Sequence, residues 1–246
     1  MYLIFKRLSD ILFASIALVL LSPCLLPLLI ALRFTGEGEV FYRQTRVGFR
    51  NRPFRIWKFA TMLKNSPNLG TGSLTLRNDP RVTPLGHFLR KTKINELPQL
   101  INLLRGDMTL VGPRPQMMED FEAFPVDIQE IIYNIRPGIT GIGSIVFRDE
   151  ERLLSMPGRD PRRFYVEQIA PYKGRLECWY MGKMSFWTDV CLLFLTGWSI
   201  IQADSDLHFR VFRDLPELPE ALRPGEPLKA PPDHSERVSE THVPFI

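Results

Sequence analysis

The chain is poor in cysteine and histidine. Three cysteines (Cys24, Cys178, Cys191) in 246 residues exclude a disulfide-stapled scaffold, and none forms a C-x-x-C pair, which removes a zinc ribbon. The four histidines make no H-E-x-x-H pattern. There is no internal repeat. Charge of either sign is missing altogether from residues 11–32, and acidic charge is scarce around them. With 45% apolar residues the chain has enough to build a core, so a wholly disordered chain is excluded.

The whole-chain averages, a mean hydropathy of −0.06 and a net charge of +4, hide two segregations. Residues 214–246 hold seven acidic and three basic residues, a net of −4, which leaves +8 on residues 1–213. That segment also carries seven of the 21 prolines and has no apolar periodicity, so it is expected to be a loosely ordered tail. At the other end, the 22 residues of 11–32 contain 18 apolar ones, the others being Ser15, Ser22, Pro23 and Pro27. A straight helix of this length is roughly 33 Å long, enough to cross a bilayer.

The run is too long for a signal peptide and no A-x-A-like cleavage site follows it. Pro23 and Pro27 each remove a backbone donor, and Ser22 can bond the carbonyl so freed. Both flanks are basic: Lys6 and Arg7 before the run, and eight basic residues against Glu37 and Glu39 over 33–64. Positive charge marks the cytoplasmic side. The reading favoured over a straight span is therefore a re-entrant helix–break–helix over 1–35, broken at Ser22-Pro23.

The rest divides into a cytoplasmic domain, 36–213, and the tail, 214–246. Residues 40–62 alternate aromatic or β-branched residues with arginines and read as two strands joined by a turn at 48–53. Residues 65–78 are expected to be a mobile loop. Thr83 is a plausible N-cap with Pro84 behind it, a second helix ends at Gly106, 120–135 is helical with a break near Pro125, and 136–141 is a turn. Two or three helices follow over 162–202. Their apolar stretch 190–201 is too short to span and reads equally as a core helix or an interfacial one. The fold class is α/β, mainly α with a small β-hairpin, anchored at a membrane and edged by interfacial amphipathic helices.

The densest chemical signal is RKTKINELPQLINLLRGDMTLVGPRP, residues 90–115. Arg114 lies between two prolines that restrict its backbone, which suits a planar fork for a phosphate. Glu96 near a helix start can share a divalent ion with phosphates. With the basic hairpin and the membrane element, these residues point to phosphoryl transfer at a membrane surface. The +8 excess alone would allow nucleic acid, but an uncharged 22-residue run has no use there, so no nucleic-acid partner is expected.

Four blocks resemble the bacterial sugar transferases, the monotopic phosphoglycosyl transferases. They are KRLSDILFASIALVLLSPCLLPLLIAL, FYRQTRVGFRNRPFRIWKFATM, INELPQLINLLRGDMTLVGPRP and YNIRPGITG, in the family's order and spacing over about residues 3–202. The resemblance implies transfer of a sugar-1-phosphate from a nucleoside diphosphate sugar, with a UDP-sugar the expected donor, to polyprenyl phosphate. It also implies Mg²⁺, a lipid bilayer as surroundings, and an active site on the cytoplasmic face of a bacterial inner membrane, and it leaves a homodimer open. Larger relatives carry an extra N-terminal membrane domain, so the chain is expected to be the minimal catalytic form. Carried over by position, Glu96 is the metal and acid–base carboxylate, Arg114 holds the diphosphate, Arg90 is a second phosphate contact, and Lys58 meets the lipid phosphate. Asp107 would brace the loop at the edge of the substrate site.

One departure is chemical. The family's Asp-Glu pair is Asn95-Glu96 here, and an amide is a poor nucleophile towards phosphorus. Asn95 can still bind a cation or a phosphate oxygen. Three readings stay open: altered chemistry, by direct attack of the lipid phosphate or by Glu96 as nucleophile; a slow but binding-competent enzyme; and a non-catalytic nucleotide-sugar or lipid-phosphate binding module. The segment 141–154, GIGSIVFRDEERLL, also departs from the family pattern and points to a divergent subgroup.

Overall fold

In the computed structural model, residues 2–70, 74–202 and 204–223 are described. The uncharged run lies within a single helix, α1, Tyr2–Arg33. Helical hydrogen bonding continues through Ser22 and Pro23, where a break was expected. The reason is local. Pro23 has no N–H to offer the Val19 carbonyl four residues back, and the Ser22 hydroxyl donates to that carbonyl instead, at 2.8 Å. α1 is long and apolar enough to cross a membrane, and only 6% of its most apolar window is buried.

α1 touches the rest of the chain near both of its ends. On the N-terminal side Ala14 packs with Leu100 and Leu103, with Ala17 and Leu18 beside them. The Arg7 guanidinium donates to the Leu103 and Leu104 carbonyls at 2.6 and 3.0 Å, which satisfies the end of another helix. Asp10, buried, accepts from the Thr109 hydroxyl and the Leu110 amide. On the C-terminal side Leu32 packs with Phe59 and Leu89, joined by Leu25, Leu28 and Leu29. Another face stays outward along most of its length, with Ile4 70%, Val19 71% and Leu26 62% exposed.

The basic stretch forms the expected hairpin. β1, Phe41–Val47, pairs antiparallel with β2, Pro53–Phe59, from Phe41↔Phe59 to Val47↔Pro53. The turn between them uses left-handed backbone at Arg50 and Asn51. α2, Pro84–Lys91, starts at Thr83, whose hydroxyl accepts from the Gly86 amide at 3.0 Å, an N-cap worth about 1 kcal/mol. α3, Gln99–Arg105, ends at Gly106 with φ 89°, the left-handed cap that glycine supplies without strain. Residues 65–78 are less free than expected: the buried Arg81 guanidinium donates to the carbonyls of Ser66, Leu69 and Leu74 and pairs with Asp79.

A second sheet was not anticipated. β3, Thr109–Val111, pairs in parallel with β4, Gly138–Thr140, so half of the expected turn at 136–141 is a strand. α4, Met118–Phe121, and α5, Val126–Ile131, flank Pro125 as expected. After β4 come α6, Ile142–Val146, α7, Glu150–Leu154, and α8, Pro161–Phe164, which runs through one π turn into α9, Ala170–Gly182.

α9 is the core of the main cluster: Tyr172, Leu176 and Tyr180, four residues apart, are fully buried against Ile128, Ile142 and Phe147. α10, Phe186–Ile201, answers to both readings of its apolar stretch. Leu192 and Leu195 enter the core, while Trp187 and Ile201 are 73% and 79% exposed. Its Asp189 accepts from Tyr2 and Lys6 of α1 and from Tyr180, so α10 is tied to α1. α11, Leu207–Val211, leads to a chain that packs on α9 through Leu215, Leu218 and Leu222. The first ten residues of the expected tail are therefore packed, and 224–246 lie outside the described residues.

Candidate active site

The two halves of the 90–115 signature meet across one cavity of about 1070 Å³. Its floor is a carboxylate held by two cations. Glu96 Oε1 accepts from Arg114 Nη2 at 2.5 Å and from Lys58 Nζ at 3.3 Å, and its Oε2 accepts from Arg114 Nη1 at 3.2 Å. The fork geometry places Arg114 bidentate on Glu96. Burial alone would raise the Glu96 carboxyl, yet Arg114, Lys58 and Lys93 hold it well below the usual carboxylate range. Burial pushes the Lys58 ammonium down to about 7; Glu96 opposes this, and Arg114 and Arg46 reinforce it.

Each side chain is aimed by its own backbone. Lys58 comes from β2. Glu96 ends a 3₁₀ turn, Ile94–Glu96, entered through Lys93 in left-handed backbone, φ 60°. That conformation costs a lysine about 1–2 kcal/mol, a strain of the kind that collects at functional sites. Arg114 sits in the Gly112–Pro115 loop after β3. The Tyr133 hydroxyl donates to its carbonyl at 2.8 Å and accepts from the Gln116 amide at 2.9 Å. Asn95, 6% exposed, lines the cavity, and its Oδ1 is buried without a hydrogen-bond partner.

Of the residues singled out from sequence, Lys58, Arg90, Asn95, Glu96 and Arg114 all line this cavity. Arg90 bonds Glu151 at 2.6 Å, so an anionic ligand would have to share it. Asp107 is not among the lining residues. It accepts from Asn102 Nδ2 at 3.1 Å, and Asn102 in turn bonds the Trp57 amide and the Arg55 carbonyl, fastening α3 to β2. Asp107 thus braces the scaffold and not the Arg114 loop. Ser22 and Pro23 lie within α1.

Three contributors escaped the sequence reading. Arg46 of β1 lines the cavity, bonding Gln44 and the Pro115 carbonyl. Arg148 lines it too, with a buried Nη1 lacking a partner. The only signal for Arg148 was the departing segment 141–154 that contains it. The third is Glu177 of α9, 1% exposed, whose Oε1 accepts from the Arg114 amide at 3.4 Å while its Oε2 has no partner. Burial pushes this carboxyl up to about 8, against the lowering by the Arg114 amide and Lys173. The folded state therefore keeps the proton between about pH 4.5 and 8 where an unfolded chain loses it. Stability falls as pH rises through that window, by on the order of a few kcal/mol. Glu177→Gln keeps the shape and removes this titration, so between pH 5 and 8 its melting temperature should fall less than that of the natural chain; parallel profiles would contradict this.

The six cations Arg46, Lys58, Arg90, Lys93, Arg114 and Arg148 surround one clamped carboxylate, which is the chemistry of a polyphosphate site. The same cavity is also lined by Ile139, Ile200 and Ile201, the last two on the exposed end of α10.

A sequence model described as bacterial sugar transferase matches residues 1–203. Over 199 residues, 79% of this chain, the sequence is 36% identical to the UDP-glucose:undecaprenyl-phosphate glucose-1-phosphate transferase of Klebsiella pneumoniae, covering 39% of that protein. It is also 36% identical over 197 residues to the UDP-N-acetylgalactosamine-undecaprenyl-phosphate N-acetylgalactosaminephosphotransferase of Aeromonas hydrophila, covering 79% of this chain and 43% of that one. Identity is 37% over 160 residues to the exopolysaccharide production protein ExoY of Rhizobium meliloti, which spans 59% of this chain and 70% of that protein. The chain thus spans about two fifths of the length of the first two relatives.

Proposed function

This chain belongs to the bacterial sugar transferase family, and from that premise we propose that it moves a sugar-1-phosphate from a nucleoside diphosphate sugar to polyprenyl phosphate. The observation that carries this reading is the cavity itself. A bidentate Arg114 and five further cations suit the donor's diphosphate and an acceptor phosphate, and Ile200 and Ile201 suit an alkyl chain. The printed names of the relatives support a UDP-sugar donor and an undecaprenyl phosphate acceptor.

The residues fit a Mg²⁺ ion shared with substrate phosphates. Asn95 Oδ1 is an oxygen without a partner, and Glu96 Oε2, which accepts a single bond, would supply a second while Arg114 stays in place. Among the described residues no cluster of three or more His, Cys, Asp or Glu could hold a metal unaided. When bound, the ion would neutralise charge on the diphosphate. Arg114 and Lys58 would bind and orient the phosphates, and the Tyr133 and Glu177 bonds would keep Arg114 from following them.

Purified protein, a panel of UDP-sugars, polyprenyl phosphate and Mg²⁺ should release uridine monophosphate only when donor and acceptor are both present, and Glu96→Gln should abolish the release. Binding of donor without release from any member of the panel would leave a non-catalytic module.

For topology, we place α1 as a re-entrant element with both ends on the cytoplasmic face. Its support is that both flanks are basic and that α1 packs on the same body through Ala14, Ala17 and Leu18 and again through Leu25, Leu28 and Leu32. Single cysteines at Ile4 and Thr35, in a chain freed of its natural cysteines, should react from the same side of sealed inverted vesicles. Labelling from opposite sides would establish a straight span.

A further inference from the structure

Among the described residues lining the cavity, every carboxylate is already held by a cation. Asn95 offers an amide, which has no anionic oxygen for phosphorus. Glu96 has both oxygens engaged by Arg114 and Lys58. Glu150 is paired at 2.5 Å with Lys173, an ammonium packed over the rings of Phe147 and Tyr165. Glu151 is paired with Arg90, and Asp149 faces Arg77 and Arg152. At the rim, Glu119 and Asp120 share Arg162, and Glu39 meets Lys64. Ser144 Oγ is buried with no hydrogen-bond partner, so no base activates it. None of the three cysteines lines the cavity.

The cavity is also large. Sites for one drug-sized ligand run from ~300 to 1,000 Å³. At about 1070 Å³, and lined by six cations together with Ile139, Ile200 and Ile201, this one can hold a donor and an acceptor phosphate together.

Resting on the transferase reading above, we infer that this chain works by single displacement in a ternary complex, with no covalent intermediate on the protein. An oxygen of the dianionic acceptor phosphate attacks the sugar-bearing phosphorus of the donor. The new P–O bond forms as the bond from that phosphorus to the oxygen bridging the two phosphates breaks, and the nucleoside monophosphate leaves with the electron pair. Total charge is the same on both sides, nothing is oxidised or reduced, and no proton has to move. This accords with a cavity rich in cations whose carboxylates are all paired. A neutral Asn95 next to Glu96 keeps a second negative charge away from the incoming phosphate.

The test uses the full chain in detergent with a UDP-sugar that supports turnover. Without polyprenyl phosphate, labelled uridine monophosphate should not exchange into the donor, and intact mass should show unmodified protein. Asn95→Asp, which puts an unpaired carboxylate into the cavity, is the comparison expected to gain exchange. With acceptor present, a donor made chiral by sulfur at the sugar-bearing phosphorus should give inverted product. Retention of configuration, acceptor-independent exchange by the natural chain, or a mass gain of one sugar phosphate would each overturn the inference. A modified Glu96 or Glu150 peptide would then name the nucleophile. No turnover with any donor and acceptor would instead bring down the transferase reading, and this inference with it.

Discussion

Arg114→Ala should lower kcat/KM for uridine monophosphate release by about 10²–10³, most of it in kcat, the loss typical when one preorganised donor to a transition-state oxyanion is removed. The reason lies in how the residue is held. Its guanidinium meets Glu96 through two nitrogens, its carbonyl accepts from Tyr133, and its amide donates to Glu177. A fork fixed at three points costs little reorganisation when charge develops on a phosphoryl group. Arg114→Lys should recover only a small part of the loss, because a single ammonium cannot make both bonds. Melting temperatures measured alongside separate lost chemistry from lost fold. Retention of activity within tenfold by the alanine variant would remove Arg114 from the centre of the site.

The second large effect is structural. A Cβ at Gly138 would lie 2.2 Å from the Gly112 amide nitrogen and 2.5 Å from the Thr140 carbonyl oxygen, both backbone atoms that cannot swing aside. Gly138→Ala should therefore force β3 and β4 apart and cost about 3 kcal/mol or more. The Gly112–Pro115 loop follows directly from β3, so activity should fall with stability. Gly182 is a control: its added methyl meets nothing within 4 Å. Urea midpoints for Gly138→Ala and Gly182→Ala check the contrast, and similar midpoints would refute it.

The sequence reading succeeded where the signal was local. The Thr83-Pro84 start of α2, the Gly106 stop of α3, the hairpin and the interruption at Pro125 each rest on a few adjacent residues with one physical preference. The gathering of Lys58, Arg90, Asn95, Glu96 and Arg114 was legible through the ordered blocks of a family resemblance, because spacing alone does not show which residues face one another. The misses share a different cause. Strands of three residues, such as β3 and β4, are too short to show alternation, and the parallel partner lies 29 residues away at Thr109↔Gly138. Glu177 looked like any charged helix residue until three surrounding elements buried it. The partner of Asp107 was not legible, because Asn102 is itself tied to a strand far away in sequence.

The contacts of α1 also set an order in time. The helix comes early in this sequence, yet the groups that satisfy its polar side chains come much later. Arg7 waits for the carbonyls of Leu103 and Leu104, Asp10 for Thr109, and Lys6 and Tyr2 for Asp189. Those groups lie 96 to 187 positions further along the chain, so the polar side chains of α1 are satisfied only once α3, β3 and α10 have packed against it.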